Sequence, residues 1–169
     1  ISNTYTIANL MIYEGKYFTD SYIVDNTLET QRFLLTNQNA DTDSLQVTVY
    51  ENNGANTTVF AKAPNLFGLN ANSSVYFLQA AENNLYEVVF GDGYFGKKPV
   101  NGSTITVNYL VTNGSDGNSV DAFTISEDLG PYNLCSASLS DITVVTASNS
   151  GANQESIDSV KFSAPRYFA

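Results

Sequence analysis

The chain has 169 residues, a formal net charge of -10 at pH 7, and 43% hydrophobic and 12% aromatic residues. That is enough apolar material to bury a core without disulfide or metal staples. Its seven Lys and Arg are scattered and it has no His, which argues against nucleic-acid and anionic-membrane binding and excludes Ser-His-Asp triads, Cys-His pairs and His-ligated metals.

Polarity comes from Asn, Ser and Thr, which suit turns and strands. Residues 3–13, "NTYTIANLMIY", alternate as a strand, and Glu14-Gly15 reads as a turn. Residues 17–25 predict a second strand, 32–37 a third, and 45–51 a fourth with Leu45, Val47 and Val49 on one face. After the turn "NNGAN", "TTVFAKA" predicts a further strand that ends at Pro64. Residues 74–82 and 85–91 flank Asn83-Asn84, a hairpin signal because Asn tolerates positive φ. Residues 103–113 alternate with Ile105, Val107 and Tyr109 on one face. Seven to nine short strands up to residue 118 predict a mainly β protein, an antiparallel β-sandwich or barrel-like module over 1–118.

Beyond "NGSDGNS", residues 119–169 predict the start of a small α/β module. Its strands are placed at 120–128 and 142–148, and its one helix near 153–164. Ser150 or Asn153 is the expected cap and Glu155 lies in the first turn. Ile157, Val160 and Ala164 form the apolar face, with Glu155 and Asp158 exposed, and Pro165 is the stop. Cys135, in "YNLCSASL", has no partner for an internal disulfide and reads as a small core residue. No apolar run approaches the roughly 20 residues that span a bilayer as a helix. The opening at Ile1 and the ending "APRYFA" lead us to expect a piece of a longer polypeptide.

Four motifs bear on chemistry. Gly91, Gly93 and Gly96 in "GDGYFG" have dinucleotide-site spacing, but Pro99, Gly102 and a strand follow where a helix would have to open. They read instead, with Gly102, as backbone-critical glycines of a strand-loop-strand connection. Asp41 with Asp43, and Asp116 with Asp121, lack a calcium-loop signature and read as Asx turns. Glu82 and Glu87 could be a glycosidase pair, although they lie on strands beside a hairpin. Tyr13, Tyr17, Tyr22, Tyr50, Tyr76, Tyr86, Tyr94 and Tyr109 lie in or beside strands, as sheet filler, interface or sugar platform. We expect no enzyme, no catalytic residue, no cofactor, no metal and no small-molecule substrate.

"YEVVFGDGYFGKKPVNGSTITVNYLVTNGSDGN" resembles a segment of the baseplate J-like wedge subunits of T-even-like contractile-tail bacteriophages. Upstream, "YEGKYFTDSYIVDN" and "QRFLLTNQNADTDSLQVTVYEN" are similar to that family's preceding strands. Downstream, "SGANQESIDSVKFSAPRYFA" resembles its helix, so the likeness covers most of the chain as an internal fragment. The resemblance implies a structural protein that joins neighbouring wedges into the inner baseplate ring and rearranges on sheath contraction. It implies no cofactor. The implied partners are other copies of the chain, as a homodimer within a wedge and between wedges, and other baseplate wedge proteins. The implied place is the virion tail baseplate, assembled in the host cytoplasm. Tyr94, Phe95, Lys97 and Lys98 are the candidate interface loop, and Asn113, Gly114 and Gly117 the candidate hinge. A receptor- or glycan-binding β-domain of a phage tail is the alternative, weakened by the lack of Trp.

Overall fold

A seven-stranded sheet in the order β1-β7-β3-β4-β5-β6-β2 curls until its edges almost meet, in a computed structural model that describes residues 8–28, 31–123, 143–155, Ser159 and Phe162. The strands are β1 (Lys16–Ile23), β2 (Phe33–Leu34), β3 (Gln46–Glu51), β4 (Asn56–Lys62), β5 (Val75–Ala80), β6 (Tyr86–Phe90) and β7 (Thr104–Val111). The protein is therefore mainly β, with almost no helix among the described residues. The chain divides into two compact units, one of Gly15–Thr112 and one of Ile1–Glu14 with Asn113–Ala169. All seven strands belong to the first.

Alternation chooses the inside of the sheet. Val47 and Val49 of β3 and Ile105, Val107 and Tyr109 of β7 are wholly buried, and Leu45 joins them. These side chains share one face because successive residues of a strand point to opposite sides. Leu35, Phe60, Tyr76 and Val88 belong to the same core, with Val24, Phe33 and Ala40. A file of rings crosses it, Tyr22 against Phe33, Phe33 against Phe90 and Phe90 against Phe60, all edge to face with centroids 5.2–5.6 Å apart. Edge-to-face packing sets the positive ring edge on the negative ring face.

Turn chemistry sets the hairpins. Asn83 and Asn84 take φ of 58° and 57°, the twist that suits a two-residue turn, and Leu85 donates back to Glu82. The β3–β4 turn does the same with Asn52, Asn53 and Gly54, all at positive φ.

The two edges do not pair by backbone, and side chains join them instead. Asp20 of β1 accepts the Thr36 amide at 2.9 Å and the Thr36 hydroxyl at 2.8 Å. It also accepts the hydroxyl of Tyr109 at 2.7 Å. The Tyr22 hydroxyl donates to the Leu34 carbonyl, and Gln31 Nε2 donates to the Ile23 carbonyl at 2.6 Å. Asp20→Ala is expected to strip this seam of its shared acceptor and to cost about 1.5 kcal/mol, measured by denaturant unfolding.

Two phenols make the seam sensitive to alkali. Burial, then the charge of Asp20, then Tyr109 push Tyr22 up to about 12. Burial likewise raises Tyr109. The folded state thus favours the neutral phenols. The stability they contribute is complete below pH about 10, where an unfolded tyrosine is still protonated, and is lost as pH climbs from there through about 12. Unfolding midpoints measured against pH should fall over that window, and less steeply in Tyr22→Phe.

Four expectations need correcting. Residues 8–13 are not a strand and carry no ladder, while 1–7 lie outside the described residues. The sheet is not wholly antiparallel, because β4 and β5 pair in parallel through Ala61↔Val75 and Lys62↔Tyr76. A parallel pair needs a crossover, and 63–74 provides it as a loop after Pro64 rather than a hairpin. Residues 120–123 and 143–148 are not strands, although Ser119 donates to the Ser148 carbonyl and Ser148 to that of Val120. Residues 153–155 are not helical, because the Asn153 side chain caps the Ser115 amide at 3.0 Å instead of opening a helix. Ser159 and Phe162 are helical, and Glu155 accepts the Ser159 hydroxyl at 3.3 Å. Cys135, Ile157, Asp158, Val160 and Ala164 lie outside the described residues.

Candidate functional site

The β6–β7 connection begins at Gly91, which is buried and has another backbone against it. A Cβ at Gly91 would stand 2.3 Å from the carbonyl of Gly96. Only glycine lets the loop close on itself in this way. Gly93 and Gly96 take φ of 95° and 98°, and Gly102 takes 78°. Asp92 accepts the amides of Tyr94 at 2.8 Å and Phe95 at 3.0 Å, while Gly93 donates to the Gly96 carbonyl at 3.1 Å. Those two amides, Phe95 first, hold the Asp92 carboxyl below the usual carboxylate range, with the Lys98 charge a smaller influence.

The tip is tied to the β4–β5 crossover, since Gly96 donates to the Asn70 carbonyl at 3.1 Å and Lys97 to that of Ser73 at 2.8 Å. Tyr94 is 79% exposed and Phe95 53% on this fixed backbone. Preorganised aromatics lose little conformational freedom on binding, which is why such residues make effective contacts. The two lysines part company. Lys98 is exposed, whereas Lys97 is partly buried with its Nζ 2.8 Å from Glu51 Oε1. The contact charge of the tip is therefore Lys98.

Beside the loop lies an open cleft of about 490 Å³, lined by Val24, Arg32, Phe33, Glu87, Phe90 and Lys98 among others. Arg32 donates twice to Glu87, from Nε and Nη2, and also faces Glu82 at 3.8 Å. The pairing raises the guanidinium, mainly through the hydrogen bond with Glu87. Glu82 and Glu87 thus both face a cation rather than each other. Asp41 accepts the Asp43 amide at 3.1 Å as an Asx turn, and Asp43 pairs with Lys62 at 3.4 Å. Among the described residues, no three Cys, Asp or Glu side chains are grouped to hold a metal.

Asn113, Gly114 and Gly117 fall just beyond the division after Thr112. Gly114–Gly117 forms a 3-10 turn. Glu14 accepts the Asn113 amide at 3.0 Å and its side-chain amide at 2.8 Å. Asn118 exchanges two hydrogen bonds with the Gly151 backbone, at 2.8 and 2.9 Å, and Ser148 Oγ donates to the Gly117 carbonyl at 2.6 Å. The candidate hinge is thus a hydrogen-bonded turn.

Sequence reasoning passed over Phe67, 90% exposed, and its neighbour Leu66 in the crossover. The available signal was an apolar pair set between Pro64 and Gly68, where a solvated turn would carry polar residues. Exposed Leu66 and Phe67 add to the apolar surface of the loops at this end of the sheet. No protein-family model matches the chain, and no curated protein matches it.

Proposed function

We propose that this chain is a structural, non-enzymatic assembly module, the wedge-type subunit of a contractile-tail phage baseplate. It holds neighbouring wedges together in the inner ring and rearranges when the sheath contracts. The observation that carries the reading is that the stretch resembling the baseplate J-like subunits, from Tyr86 onward, forms β6, β7 and the loop that presents Tyr94 and Phe95 on a fixed backbone. Aromatics at a rigid loop tip beside one exposed lysine suit a contact with an acidic partner, which the chain's own charge of -10 makes another copy able to offer.

The test is co-assembly of the chain with baseplate wedge proteins of contractile-tail phages, read by size and electron microscopy. A defined oligomer weakened by Tyr94→Ser with Phe95→Ser supports the reading. A chain that forms no complex and instead binds on a glycan array overturns it in favour of a receptor- or glycan-binding tail domain.

A further inference from the structure

We propose that residues 9–13 of one copy add as a strand to the free edge of β4 in a second copy, reciprocally, so that the chain forms a strand-exchanged dimer. Two independent features meet in this proposal: a strand-like segment without a sheet, and a sheet edge without a strand.

Leu10, Met11, Ile12 and Tyr13 are consecutive, and each is 59–75% exposed. Among the described residues, no hydrogen bond involves 8–13. Their pattern in the sequence is that of a strand. Unpaired backbone can bond to water, but four adjacent large apolar side chains in solvent mark a surface meant to be covered.

The edge arises from the parallel pair. β5 meets β4 only at Ala61 and Lys62, whereas β3 runs beside β4 from Asn56 to Phe60. Ala61 donates outward to the Ser74 carbonyl and Ala63 to that of Tyr76. Residues two apart on a strand present their amides to the same side. Val59 and Thr57 therefore turn their N–H and C=O groups toward that side, where no hydrogen bond meets them among the described residues. Both are exposed, Val59 at 68%. An exposed edge rich in β-branched residues is a template for another strand, and strand addition is a common recognition mode.

Chain reach selects a second copy over the same one. Ladder partners set Ser21, Thr106, Thr48 and Val59 in one row. Gly15 lies six residues before Ser21 in a strand three places from β4. Val59 is thus roughly 20 Å along and 14 Å across from Gly15. That is about 24 Å in a straight line. Tyr13, two residues from Gly15, reaches about 7 Å and Asn9, six residues away, about 20 Å. Residues 9–13 of the same chain fall short of Thr57 and Val59. A reciprocal exchange closes with two-fold symmetry, so it ends at a dimer rather than a fibre.

The inference rests on the assembly reading only for the existence of self-contacts. The experiment is sedimentation and amide hydrogen exchange of the full chain across a concentration series, with Ile12→Lys, Val59→Pro and the Tyr94→Ser/Phe95→Ser pair compared. Proline at 59 removes an outward N–H that the β3 ladder does not use, and circular dichroism checks that each variant keeps its sheet. The expected result is a dimer whose amides in 9–13 and at Thr57 and Val59 slow together as concentration rises. Ile12→Lys and Val59→Pro should each weaken it at least about tenfold, while the loop pair leaves it unchanged. A monomer at every concentration, protection of 9–13 independent of concentration, or a dimer lost only in the loop pair overturns the strand exchange. The last outcome leaves the assembly reading standing.

Discussion

Gly91→Ala is expected to lose about 3 kcal/mol of stability, at the upper end of what overpacking costs. The new methyl would stand 2.3 Å from the Gly96 carbonyl carbon and oxygen and 2.5 Å from its Cα, all backbone atoms that cannot swing aside as a side chain would. Gly96 is held by its own hydrogen bond to Asn70, so relief at Gly91 must drag the β4–β5 crossover with it. Gly93→Ala is the control. Its Cβ would meet nothing nearer than Lys98 Cβ at 4.0 Å, and the cost is the backbone strain of φ 95° alone, about 1 kcal/mol. Chemical denaturation of both variants checks the contrast. Equal losses would mean that positive φ, not the close approach, governs the loop. Tyr94 and Phe95 should also lose their fixed presentation in Gly91→Ala, so any partner affinity they provide falls with the fold.

Ile105→Ala should cost about 2–5 kcal/mol, and Ile105→Val only about 0.5–1.5 kcal/mol. Ile105 is wholly buried on β7, between Tyr22 of β1 and Val49 of β3 in the ladders. Strands flank it on both sides, so the surroundings cannot easily collapse into the space left by the removed carbons. Domains are stable by only about 5–15 kcal/mol, so the alanine variant sits near its unfolding threshold. Thermal and urea unfolding, with the valine variant alongside, separate lost volume from lost branching. A drop below about 1 kcal/mol for alanine would show that the core repacks freely.

The sheet residues were legible because the information is local. Period-two alternation put Leu45, Val47 and Val49, and Ile105, Val107 and Tyr109, on one face, and all six are buried. The Asn83-Asn84 turn could be read from two residues, since Asn tolerates the positive φ that a tight hairpin turn needs. The mainly β class followed from these signals without any long-range contact.

Pairing and partners were not legible, because they depend on which segments compete for the same edge. Residues 3–13 alternate as well as β1 does. Yet β7 takes β1 on one side and β3 on the other, and 8–13 remain without a ladder. The parallel contact of β4 with β5 turns on where the chain after Pro64 returns, which alternation does not encode. Lys97 and Lys98 are adjacent and alike in sequence. Only the approach of Glu51, 46 residues earlier in the numbering, pairs with one and holds it partly buried while the other stays in solvent. The seam is similar: Asp20, Thr36 and Tyr109 meet only once the sheet has curled. The sequence alone thus determined the alternating runs and Asn turns between Lys16 and Val111, but not that the equally strand-like 8–13 would stay out of a ladder. The tertiary structure decided which strand lies beside which, because edge hydrogen bonds and ion pairs are won by whichever group the closed sheet brings within reach.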